Sequence, residues 1–168
     1  INESIKLLEG MFAIGIWDRQ AKCLSLARDF AGIKPLFYGW NKNGFVFSSQ
    51  YNQISNHPFF RDEQVNISVL KLYISQHFIP PPFGLLKNTF SVFPGEIVKL
   101  DEHGKLEKTR YWSFPQFENS IMDYNDAKNI IENEIQNSVK EQLLSDVPLG
   151  AFLSGGVDSP LICNYAKN

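Results

Sequence analysis

Six consecutive residues, Ser154-Gly155-Gly156-Val157-Asp158-Ser159, carry the strongest chemical signal in the chain. They follow the apolar run Leu149 to Leu153 and precede a stretch that reads as a helix opening near Ser159-Pro160. Glycines let backbone N–H groups approach a ligand closely, and a helix start adds the positive end of its dipole, so together they favour an anion. The hydroxyls of Ser154 and Ser159 can donate to phosphate oxygens. A carboxylate at Asp158 would repel bare phosphate, so it implies an intervening Mg2+. That combination describes a nucleotide site with its metal partner built in. The competing reading is a flexible Ser/Gly loop between two elements. The loop lacks G-x-x-x-x-G-K-S/T, so no lysine is set over β and γ phosphates. The G-x-S-x-G elbow of serine hydrolases is absent as well.

The elements around this loop have a helical period. From about Asn125 to Leu144 the apolar residues Ala127, Ile131, Ile135, Val139 and Leu143 recur at i, i+4, predicting one long amphipathic helix packed on something large. Pro148 stops it. Leu149 to Leu153 then predicts a short buried strand of a parallel sheet, and Ser159 a helix cap with Pro160 at the first helical position. Helix, strand, Gly-rich turn and helix make the opening of an α/β domain.

Upstream the period is that of strands. Met11 to Trp17, apolar on both faces, predicts a strand between two layers, and Cys23 to Ala27 returns from the polar turn Asp18 to Lys22. Leu36 to Trp40 and Phe45 to Ser48 flank Asn43-Gly44, a pair suited to the two positive-φ positions of a tight hairpin. Asn66 predicts an N-cap for a helix to about Phe78, with Ile67, Leu70, Ile74 and Phe78 on one stripe and Pro80-Pro81-Pro82 behind it. Glu96 to Leu100 and Leu106 to Trp112 predict another hairpin around Asp101 to Lys105. The change of period puts a domain boundary between about residues 113 and 122.

Composition narrows the classes. With 16 Lys+Arg against 18 Asp+Glu in 168 residues, the net charge of -2 gives no basic surface for nucleic acid or a membrane. At 43% hydrophobic and 14% aromatic the chain can bury a sizeable core, which excludes disorder. No apolar run approaches the roughly 20 residues of a membrane helix. Cys23 and Cys163, far apart in apolar runs, read as reduced core thiols of a cytoplasmic protein. A start at Ile1 and an end at Asn168, shortly after the Gly-rich turn, read as the ends of a piece of a longer polypeptide.

SGGVDS is similar to the SGGxDS signature of the ATP-pyrophosphatase group, a resemblance that implies attack on the α-phosphate of ATP and release of pyrophosphate. SDVPLGAFLSGGVDS (145–159) resembles the start of the synthetase domain of glutamine-hydrolysing asparagine synthetases. GMFAIGIWD (10–18), LARDFAGIKPLFYG (26–39) and FPGEIVKL (93–100) resemble the latter half of that family's glutaminase domain. The resemblance implies an α+β N-terminal-nucleophile hydrolase fold of stacked antiparallel sheets (αββα), followed by an α/β ATP-pyrophosphatase domain of the adenine nucleotide alpha hydrolase type. It assigns 1–115 to the C-terminal part of a type-2 glutamine amidotransferase domain and 123–168 to the N-terminal part of an ATP-binding domain. The implied reaction adenylates aspartate and displaces AMP with ammonia from glutamine. Aspartate, glutamine and ATP are thus the implied small-molecule partners, and nothing in these residues fixes or excludes a homodimer.

Carried over to ATP are Leu153, bordering the adenine side, and Ser154, Gly155, Gly156, Val157, Asp158 and Ser159, with Asp158 meeting Mg2+ through pyrophosphate. The family's glutaminase nucleophile, a cysteine at the mature N-terminus, would precede Ile1, so no catalytic residue is expected here and no glutaminase activity from this piece alone. Two positions depart from the family pattern. Gln50 stands where Ser48-Ser49-Gln50 would commonly end in Glu, and Pro160 stands where a second Ser is usual. Pro160 is shared with relatives linked to surface-polysaccharide synthesis, which keeps a sugar acid or other carboxylate as an alternative to aspartate, beside a non-catalytic nucleotide-binding relative. Arg28 and Asp29 are weaker site candidates, with a salt bridge or turn fastening the preferred reading. His57, His77 and His103 show no ligand spacing and predict no zinc, and Phe37, Tyr38, Trp40, Phe45 and Phe47 read as core packing.

Overall fold

The computed structural model describes residues 2–116 and 122–167. Contacts divide the chain into two units, Ile1–Pro115 and Gln116–Asn168.

In the first unit a four-residue helix, α1 (Asn2–Ile5), precedes a hairpin of β1 (Ala13–Asp18) and β2 (Cys23–Arg28). Then come β3 (Phe37–Asn41), β4 (Gly44–Ser48), α2 (Tyr51–Ser55), α3 (Ile67–Gln76), β5 (Thr89–Ser91), β6 (Glu96–Leu100) and β7 (Leu106–Arg110). Every strand pair is antiparallel, in a four-stranded sheet ordered β1-β2-β6-β7 and a three-stranded sheet ordered β4-β3-β5. Alternation along each strand decides which side chains face which way. On β2, Leu24 and Leu26 join Val98, Tyr38, Leu36, Val92, Phe45 and Phe90 in the main apolar cluster between the sheets. Ala27 points the other way, with Ile97, toward Ile5 of α1. The two sheets are therefore stacked, with the larger core between them.

Several expectations need correction. β1 is an edge strand that pairs with β2 alone among the described residues, and it is covered on both faces only at its start: Ala13 packs on the cluster between the sheets and Ile14 on the one with Ile5, while Ile16 and Trp17 are 45% and 55% exposed. The β3–β4 turn sits one residue earlier than Asn43-Gly44 predicts. Asn41 pairs with Gly44, so Lys42-Asn43 form the loop and Gly44 alone takes positive φ, at 144°. The Asn41 side chain explains the shift: its Oδ1 accepts from the Asn43 N–H at 2.9 Å, and its Nδ2 donates to Phe59 O and Glu63 Oε1.

Asn66 does cap α3, accepting from the N–H groups of Ser68 and Val69 at 3.2 and 3.4 Å. The predicted stripe is wrong in its direction, however. Val69 is the buried residue of α3, while Ile67, Ile74 and Phe78 lie 57% or more exposed. Val69 lies in the first turn, three residues after Asn66, where its N–H is held by the cap, and the chain entering at Val65 pairs with Leu86, which fixes the rotation of the helix. Of the five aromatics read as core, Tyr38 is fully buried, Phe37 and Phe45 are half-buried, and Trp40 and Phe47 are exposed. The thiols of Cys23 and Cys163 are free and half-buried, not core.

The second unit contains α4 (Tyr124–Glu141), capped by Asp123 through the Asn125 N–H at 2.8 Å, and α5 (Asp158–Lys167). Ile135 and Val139 lie on the less exposed stripe of α4, and the helix packs against α5, where Tyr165 donates from its hydroxyl to Glu132 Oε1 at 3.2 Å. Neither helix buries a residue completely. Leu149 to Leu153 is not a strand. A strand exists only where its N–H and C=O groups meet a neighbouring strand, and the described residues of this unit supply none. Instead Leu149, Gly150 and Ala151 border a groove of about 450 Å3 with Val139, Leu143 and Ile162.

Candidate functional site

The Gly-rich turn lies between this extended run and α5. Its residues are exposed, Leu153 by 69% and Val157 by 82%, except for half-buried Ser159. Helix α5 begins at Asp158, one residue before the predicted cap, so Ser159 lies inside the first turn and does not cap it. Its hydroxyl is committed elsewhere. It accepts from the Ser154 N–H at 2.9 Å and lies 2.7 Å from the Ser154 Oγ, which in turn accepts from the Gly156 N–H at 3.3 Å. The turn thereby folds back on the helix start and brings Ser154, Gly156 and Ser159 together.

The chemistry of this donor set fits an anion. The two hydroxyls converge with the Ser154 and Gly156 N–H groups bonded to them, Gly155 has open space where a side chain would stand, and the first turn of α5 adds its partial positive charge. Pro160 forfeits nothing here, since first-turn N–H groups have no partner within the helix. Asp158 in that turn is stabilised by the dipole and supplies the acidic residue of the helix's first turn. Mg2+ fits one carboxylate plus phosphate oxygens better than an all-protein cage, and among the described residues no group of three His, Cys, Asp or Glu is placed to hold a metal alone.

Arg28 and Asp29 are structural fastenings. Asp29 is 1% exposed, and its two carboxylate oxygens accept from the Ile33 and Lys34 N–H groups, each at 2.9 Å. The Arg28 guanidinium donates to Lys34 O, Gly32 O, Val92 O and Ser91 Oγ at 2.7 to 3.2 Å. Burial pulls its pKa below the ordinary value, with Asp29 acting in the opposite sense. The two side chains thus fasten the turn through backbone groups and form no ion pair with each other. Sequence reasoning missed Tyr111, whose hydroxyl donates to Arg28 O at 2.7 Å from 83 residues away; no local pattern announces such a contact. Gln50 is the N-cap residue of α2 and makes no side-chain cap. His57 accepts at Nδ1 from the Phe59 N–H, His77 ends α3 in the left-handed region and His103 lies in the β6–β7 turn.

A glutamine amidotransferase domain model matches residues 2–112, and an asparagine synthase model matches residues 131–168. A Methanocaldococcus jannaschii protein bearing an asparagine synthetase (glutamine-hydrolyzing) name is 34% identical across 98% of this chain, which spans 32% of that relative. Bacillus subtilis asparagine synthetases (glutamine-hydrolyzing) 3 and 1 are 31% and 32% identical over 95% and 98% of the chain, which spans 26% of each. The chain therefore spans about a third or less of the length of these relatives. A B. subtilis glutamine phosphoribosylpyrophosphate amidotransferase structure overlaps at a TM-score of 0.43 and 15% identity, covering 86% of this chain and 28% of that one. With the amidotransferase model over more than half of its residues and the synthase model after it, the chain belongs to the glutamine-hydrolysing asparagine synthetase family.

Proposed function

We propose that this chain is part of an ATP-dependent, glutamine-hydrolysing asparagine synthetase. In that reading residues 1–115 are the C-terminal part of the glutaminase domain and 123–168 begin the ATP-binding domain. The observation that carries it is the turn before α5, where Ser154, Gly156 and Ser159 converge beside Asp158. Leu153 and Val157 border the nucleotide, the amides of Gly155 and Gly156 and the two hydroxyls hold phosphate, the Gly156 N–H exchanging its bond to Ser154 Oγ for one to a phosphate oxygen, and Asp158 meets Mg2+ through pyrophosphate. ATP supplies the activation of the acid, making its carboxylate oxygen part of a leaving group that ammonia can displace. The protein's share is to orient the phosphates and offset their charge. The near-neutral net charge agrees with this, because such a cradle needs no basic surface.

The whole protein is proposed to act in the cytoplasm on ATP, aspartate and glutamine, and not on nucleic acid. Among the described residues no helix is long and apolar enough to cross a membrane. Pro160, where the sequence resembles relatives linked to surface-polysaccharide synthesis, keeps a sugar acid or other carboxylate in play as a second acid. The test is pyrophosphate release from ATP by the full-length protein, with a panel of acids and with glutamine or ammonium. Aspartate should be required, and Asp158→Ala should reduce turnover by about 100-fold or more, the scale of losing one charge-stabilising group. Full activity in that variant would remove Asp158 from the metal site. Release driven by a sugar acid in place of aspartate would favour the second reading.

A further inference from the structure

We draw no further inference here: the strongest candidate, the apolar groove of about 270 Å3 beside α3 that Phe37, Tyr51, Tyr73, Ile79, Phe83 and Leu85 line, carries nothing because nothing in the structure shows what covers it.

Discussion

Replacing Asp29 tests whether the 29–34 turn is fastened as its hydrogen bonds imply. The carboxylate is almost fully buried and holds two backbone N–H groups, each at 2.9 Å. Hydrogen bonds to a charged group contribute about 1.5–3 kcal/mol each. Ile33 and Lys34 are themselves exposed, so water can recover part of both bonds in a truncated side chain. Asp29→Ala should therefore destabilise the first unit by about 2–4 kcal/mol. Asp29→Asn keeps one acceptor oxygen but sets an amide nitrogen against the other N–H, for a smaller loss of about 1–3 kcal/mol. The assay is urea unfolding followed by tryptophan fluorescence, which reports this unit alone because Trp17, Trp40 and Trp112 all lie in it. With a slope of about 1–3 kcal/mol per M, a loss of about 3 kcal/mol lowers the midpoint by roughly 1–3 M. An Asp29→Ala midpoint equal to that of the parent would refute the reasoning, as would a protein in which Asn is worse than Ala.

Gly39→Ala should be far more harmful than Gly15→Ala. A Cβ at Gly39 would stand 2.7 Å from the fully buried Phe60 ring, an overpacking worth about 1–3 kcal/mol, whereas at Gly15 it meets the exposed Phe47 ring, which can move aside. Equal midpoints in urea for the two variants would contradict this. Asn66→Ala should cost about 1 kcal/mol through loss of the α3 cap, read from the same unfolding curves. Stability should also fall in alkali. Burial raises the pKa of Tyr111, with Asp29 adding to it, and raises that of Tyr38 against the pull of Lys108, both from an ordinary 10.0. The folded chain then keeps protons that the unfolded chain releases, so this stability is full below pH 10.0 and is lost as pH rises through the raised values. Tyr111→Phe should flatten the fall, as measured by urea midpoints on either side of that pH.

Much of this protein could be read in one dimension, because the information was local. Hairpins announce themselves where alternating apolar residues meet turn residues, as at Glu96 to Arg110 around Gly104. A cap such as Asn66 is settled by the geometry of its own three-residue reach. The SGGVDS turn stood out because glycines, hydroxyls and one carboxylate are packed into six positions ahead of a helix. What the sequence did not determine is anything decided by a distant partner. Leu149 to Leu153 has the composition of a buried strand, but a strand is a relation between segments, and without a neighbour it remains extended chain. The apolar stripe of α3 has the right spacing, yet the rotation set by Asn66 and the Val65–Leu86 bridge turns Val69 inward and leaves Ile67 and Ile74 outside. Ser159 looked like a cap in isolation, and only the folded turn spends its hydroxyl on Ser154. Local chemistry thus identified the elements and the candidate site, while tertiary structure decided which faces are covered, because burial is a property of pairs of segments and not of either one.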